Sequence, residues 1–218
     1  MLKLNDSPDW RYLLQEFYDL YRFGSAGGSG SVRTHQRTVR ERLSRIMAAN
    51  PEVRQGEGQR KPVCDHLGRA FDNGRSGPMG SLIHSLMRIN GGSDWVYGYE
   101  KMPRSLEKKY AYTELVGPGG PVVANDLTMG LVLFGPATTY PAHSHDGIVE
   151  SYVVLSGAIS ENDAAVYVPG SLILNNPGYE HRITTQDREP ALLAYAWVGA
   201  PERLANPEMK LSGRRKKS

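Results

Sequence analysis

At 218 residues, with 24 glycines and 14 prolines, the chain is long enough for one large domain with an arm and is rich in turn formers. No apolar run reaches the ~18 residues of a membrane-spanning helix, and a single cysteine, Cys64, rules out an internal disulfide framework. The net charge of +3 comes from Arg214, Arg215, Lys216 and Lys217; without them the balance is slightly negative, so no basic face for nucleic acid is implied.

The stretch Met1 to Asp6 lacks the charged-then-apolar pattern of a secretory signal, so a cytoplasmic protein with no membrane partner is expected. Asp6-Ser7-Pro8 reads as a helix start, because a proline at the first helical position lacks only an N–H that has no partner there. Trp10, Leu13, Leu14, Phe17, Leu20 and Tyr21 then recur at helical spacing, and Gly24 ends the helix. Ser25 to Ser31 reads as a Gly/Ser linker. A second helix, about Val32 to Ala49, carries Val39, Leu43, Ile46 and Met47 on one side and arginines on the other, and Asn50-Pro51 stops it. Cys64 to Phe71 predicts a helical turn, with Cys64 an inert buried thiol. Ser81 to Arg88 predicts a third helix, closed by Asn90-Gly91-Gly92. His66 and His84 lie in this part and read as structural or exposed. The apolar stripes need cover from a barrel or a second subunit, so residues 1–92 are expected to form a helical arm and the protein a homodimer.

From Trp95 onward, aromatic and β-branched residues dominate and turn signals recur at short intervals. Strands are predicted over Trp95–Tyr99, Tyr110–Val116, Leu127–Phe134, Ala164–Val168, Ser171–Leu174, His181–Thr185 and Ala191–Val198. Short strands at this spacing imply an antiparallel barrel or double-sheet jelly roll over residues 93–200. Both faces of the last strand are largely apolar, which predicts a central position. Residues 201–218 read as a solvated basic tail.

The centre of this region is Thr139 to His181. Alternation along a strand lets His143 and His145 project together, and Asp146-Gly147 supplies a turn. In the strand that follows, Glu150, Tyr152 and Val154 share a face. His181 comes after a Gly- and Pro-punctuated run. A lone histidine in a strand is ordinarily a surface or hydrogen-bonded core residue, yet three of the chain's six histidines fall here with a carboxylate at a workable offset. Three imidazoles and one carboxylate suit one divalent transition metal ion, such as Zn, Fe, Mn, Ni or Co.

The pattern His143-x-His145, Glu150, Gly157, then Pro177-Gly178 and His181 resembles the two metal-binding motifs of the cupin superfamily. The fold implied is mainly β, a double-stranded β-helix or jelly-roll barrel. A longer run is similar to the bacterial dimethylsulfoniopropionate (DMSP) lyases of the DddL type. It includes Lys109-Tyr110-Ala111-Tyr112, Thr138-Thr139-Tyr140-Pro141, Glu150-Ser151-Tyr152, Ser171 to Asn175 and Glu180 to Thr185.

This resemblance implies a carbon–sulfur lyase acting on a small zwitterionic sulfonium substrate, releasing dimethyl sulfide and acrylate by β-elimination. A metal on His143, His145, Glu150 and His181 would spread the negative charge that develops beside the substrate carboxylate. Tyr152, two residues past Glu150 on the same face, matches the tyrosine base that the resemblance implies. Free tyrosine, with a pKa of about 10, is a poor base until a nearby dication lowers that value. Tyr140, on the opposite parity to His143, is the second candidate. The sulfonium end calls for aromatic faces, each contributing about 0.5–2 kcal/mol when water is excluded. Trp95, Tyr110, Tyr179 and Trp197 are the candidates, with Tyr97, Tyr99, Tyr112 and Tyr195 as further aromatics in reach. The rival readings are another cupin metalloenzyme (a dioxygenase or an isomerase) and a ligand-binding cupin without activity.

Overall fold

The structure, a computed structural model, describes residues 2–23, 28–99, 103–207 and 209–211. Helix α1 (Pro8–Phe23) begins on the predicted proline. Residues 24–27, where the helix stop at Gly24 and the first three linker residues were expected, lie outside the described residues, as does the basic run Arg214 to Lys217. Helix α2 (Gly30–Ala49) is capped by Ser29, whose hydroxyl accepts from the Val32 N–H, and it ends on Asn50 in the left-handed region. A 3-10 turn (Pro62–His66) leads into α3 (Leu67–Arg75), and α4 (Gly80–Ile89) follows. Cys64 is buried and unpaired, and burial raises its thiol pKa. His66 is half-buried and His84 exposed.

After the short α5 (Arg104–Glu107), the strands are β1 (Tyr110–Gly117), β2 (Val122–Val123), β3 (Leu127–Phe134), β4 (Thr139–His145), β5 (Ile148–Ser156), β6 (Ile159–Glu161), β7 (Ala165–Tyr167), β8 (Leu172–Asn175), β9 (His181–Thr185) and β10 (Ala191–Gly199). They form two sheets that close into a double-sheet barrel. One has the order β2-β1-β3-β10-β5-β8. The other ends at β11 (Met209–Leu211) and runs β11-β4-β9-β6-β7.

Two expectations need correction. Trp95–Tyr99 is not a strand: only Val96 bridges, to Tyr112 of β1. Residues 201–218 are not wholly a tail. Pro201–Ala205 form helix α6, and β11 pairs with β4, Met209 opposite His145 and Leu211 opposite His143.

The core has two compartments, and β10 separates them. Leu192, Ala194 and Ala196 face the arm, joining Leu13, Phe17, Leu43, Leu86 and Trp95 in one apolar cluster. Leu193, Tyr195 and Trp197 face the barrel interior with Phe134, Tyr152, Val154 and Ile183. Alternation along one strand thus serves both clusters. The helical stripes that raised the expectation of a second subunit are covered by the chain's own sheet.

Candidate active site

The turn at Asp146-Gly147 carries the chain from one sheet to the other. Gly147 has a φ of +69°, a conformation that L side chains rarely adopt, and Arg203 of α6 pairs with Asp146 at 3.3 Å. β4 leaves His143 and His145 on one wall, and β5 starts on the opposite wall with Glu150 pointing back. β9 adds His181, the direct cross-strand partner of His143.

All four side chains are buried, and one potential ligand atom from each lies within 4.8 Å of the others. His181 Nε2 is 3.0 Å from Glu150 Oε2, and His145 Nε2 is 3.5 Å from Glu150 Oε1. Pro141 O lies 3.0 Å from His143 Nδ1, and Tyr179 O lies 3.2 Å from His181 Nδ1. A carbonyl only accepts, so both Nδ1 atoms carry the proton and both Nε2 lone pairs face the cluster. His145 Nδ1 and Nε2 and His181 Nε2 are buried without a hydrogen-bond partner of acceptable geometry. Orphaned imidazole nitrogens around a carboxylate are what a divalent cation would satisfy, so the residues fit a metal.

The electrostatics agree. Burial drives His143 down to about 3, with His181 adding to the shift, and burial also lowers His145. Burial alone would raise Glu150, but the surrounding imidazoles outweigh it and hold the carboxylate far below its usual range. The same carboxylate outweighs burial at His181 and raises it. His143 and His145 are thus held neutral and Glu150 anionic, the forms that ligate, while His181 keeps a proton more readily beside the carboxylate, a proton that a bound cation would displace.

Glu150 is also fixed by its neighbours in the sheet. Its cross-strand partners are Trp197 on one side and Asn175 on the other. The indole N–H of Trp197 donates to Oε1 at 2.7 Å, and the Asn175 amide approaches Oε2 at 3.4 Å.

A cavity of ≈ 340 Å³, including the space at its mouth, adjoins the cluster. His143, His145 and Glu150 form its polar end, and Tyr110, Tyr112, Phe134, Tyr140, Tyr152, Tyr195 and Trp197 line it; among the described residues neither Lys nor Arg does. Tyr152 lies edge-on to His181, with ring centroids 6.0 Å apart. Tyr140 also faces this cavity, contrary to the parity expectation. One extra β4 residue opposite β9 between Tyr140 and His143 restores the same face after three residues. Its hydroxyl lies 2.7 Å from that of Tyr99, and its ring packs on that of Tyr110 with centroids 4.6 Å apart. Burial pushes Tyr152 and Tyr140 well above the usual phenol value and Tyr99 up to about 12.

Two of the predicted aromatics are elsewhere. Trp95 is buried in the cluster between arm and sheet, on the far side of the wall. Tyr179 sits in the β8–β9 turn, half exposed, its hydroxyl accepting from Asn162. Composition marks neither, because the face a side chain takes depends on pairing. Phe134 and Asn175 were not singled out by sequence reasoning. Nor was the buried trio behind Glu150, in which Tyr21 Oη and His35 Nε2 each lie 2.8 Å from Ser151 Oγ. These contacts link helices to β5 across long sequence separations that spacing alone cannot reveal.

A family model for DMSP lyases matches residues 35–193, a span that holds all four candidate ligands and both tyrosines. A curated protein of Cereibacter sphaeroides, named dimethylsulfoniopropionate lyase DddL, is 57% identical over 215 residues, covering 99% of this chain and 93% of its own. The crystal structure of DMSP lyase DddQ from Ruegeria pomeroyi superposes with a TM-score of 0.71 at 18% identity, covering 97% of this chain and all of that one. A chain from the crystal structures of the DMSP lyases RdDddP and RnDddQII gives 0.68 at 22% identity, covering 94% and 98%. At these identities the two structures establish the shared fold.

Proposed function

This chain belongs to the DMSP lyase family, and on that premise we propose that it cleaves DMSP into dimethyl sulfide and acrylate at the barrel cavity. The observation that carries the reading is the coincidence of the family match with a buried His-His-Glu-His group at the polar end of an aromatic cavity.

His143, His145, Glu150 and His181 would hold the ion, and a divalent transition metal bound there supplies Lewis acidity toward the substrate carboxylate and lowers the pKa of a neighbouring phenol. With no Lys or Arg lining the cavity among the described residues, the carboxylate end of the substrate belongs at the histidine end and the sulfonium at the aromatic end. Tyr110 and Trp197 are the sequence candidates that border this space. Their ring faces attract an onium charge that has lost its water.

Tyr152 is the group that takes the proton from the carbon next to the carboxylate. The electron pair of that C–H bond becomes the new C=C bond, the C–S bond breaks, and its pair leaves on sulfur as neutral dimethyl sulfide. No acid is needed for the leaving group, so one base suffices. A specific observation favours Tyr140 as a second reading: its ring lines the cavity edge-on to His143, with centroids 4.9 Å apart, and its hydroxyl lies 2.7 Å from that of Tyr99.

The experiment is incubation of purified protein with DMSP, with headspace detection of dimethyl sulfide and quantification of acrylate. Equimolar products, abolished by a chelator and restored by added metal, support the reading. Oxygen consumption or an isomerised product in place of dimethyl sulfide would overturn it.

A further inference from the structure

We infer that Asn175 and Glu161 form a two-step positioning device that sets the orientation of the Glu150 carboxylate for metal binding. The inference rests on the reading of His143, His145, Glu150 and His181 as a metal site and goes one layer behind it.

Asn175 is nearly fully buried on β8, directly opposite Glu150 on β5. Its Nδ2 approaches two carboxylates at once, Glu161 Oε2 at 3.1 Å and Glu150 Oε2 at 3.4 Å. An amide nitrogen has two hydrogens, one for each acceptor. The opposite amide orientation would turn a carbonyl oxygen on two carboxylates, so the two acceptors fix which way the amide faces. The other atom, Oδ1, is left buried without a partner. A lone Glu150 would not compensate for that orphan; a second carboxylate on the same nitrogen strengthens the hold.

Glu161 is the less expected member. It sits buried on β6, in the opposite sheet from Asn175 and Glu150. Burial raises its pKa, and Glu150 adds to that shift while the Asn175 hydrogen bond and His181 oppose it. A carboxylate in such a place costs stability unless it is used. Its hydrogen bond to Asn175 ties the two sheets together beside the ligand that itself spans them. Trp197 holds Oε1 from the other strand, so each oxygen of Glu150 has one orienting donor. Loss of a partner behind a metal ligand typically lowers metal affinity about 10–100-fold.

The test is competition titration of purified wild-type, Asn175→Asp, Glu161→Ala and Glu161→Gln proteins with Zn(II) against a chromophoric chelator. The d–d spectrum of the Co(II)-loaded proteins gives a second readout, and thermal melts of the metal-free forms check folding. Asn175→Asp replaces the donor with an acceptor at equal size and should weaken Zn(II) binding by about 10–100-fold, with an altered Co(II) spectrum. Glu161→Ala removes the amide's anchor and should weaken binding by about tenfold. Glu161→Gln keeps an acceptor oxygen and should restore near-wild-type affinity and spectrum, which a simple loss of packing at Ala would not explain. Wild-type affinity and spectra in both Asn175→Asp and Glu161→Ala overturn this inference alone. Failure of the wild-type protein to bind Zn(II) or Co(II) overturns the metal-site reading and this inference with it.

Discussion

His143 and His181 stand directly opposite one another on β4 and β9, their ring centroids 4.1 Å apart. Two imidazoles so close, both with Nδ1 bonded outward to a carbonyl, leave their Nε2 lone pairs to converge. Replacing His181 by Ala removes one of four candidate ligands and the imidazole closest to Glu150. Metal affinity should fall by more than about 100-fold, beyond the usual effect of losing a partner behind a ligand. Elemental analysis after dialysis, with chelator competition, checks this.

Tyr152→Phe should lower turnover of DMSP by about 10²–10⁴-fold while metal content stays at the wild-type level. Tyr140→Phe should cost less. Steady-state rates from headspace dimethyl sulfide decide between the two, and the reverse ranking would make Tyr140 the base.

Acid should destabilise the fold through His35. Burial, with Arg42 adding to it, depresses this imidazole to about 4 from its ordinary 6.5. The folded state therefore binds fewer protons than the unfolded state between those values. Stability is complete above about pH 6.5 and is lost as pH falls through about 4, by roughly 3 kcal/mol at most over the window. His143 and His145 shift the same way in the metal-free protein, so a His35→Gln variant isolates the arm's share. Its urea midpoint should change less between pH 7.5 and pH 4.5 than that of the wild type.

Gly147→Ala places a β-carbon on a residue with φ of +69°, although only the Arg203 side chain is near, at 3.5 Å. The cost is therefore backbone strain of about 1–2 kcal/mol, lowering Tm by roughly 2–8 °C. Gly147→Asn should be milder, because Asn tolerates this region better. Calorimetry of the three proteins checks the order.

The buried cluster of candidate ligands was legible because His143, His145 and Glu150 lie within eight residues, two aimed by alternation and the third brought back by the turn at Asp146-Gly147, while His181 stands in a strand of its own. Tyr152 followed from Glu150 by the same rule. Tyr140 did not follow, since an extra residue in β4 reverses the parity and no residue type announces it. The doubly apolar β10 was read correctly as central. The sides taken by Trp95 and Tyr179, and the contacts of Asn175, Glu161 and His35, depend on which strands and helices meet across long sequence separations. The reaction itself came from a resemblance, as a buried metal-type cluster alone serves many chemistries.

Because β10 presents alternate side chains to two compartments, it is a party wall between them. Neutral drift in the arm at the positions facing Leu192, Ala194 or Ala196 would press through that wall onto Tyr195 and Trp197. Anyone reshaping the chamber for a bulkier onium compound should therefore select variants of the arm and of the chamber together.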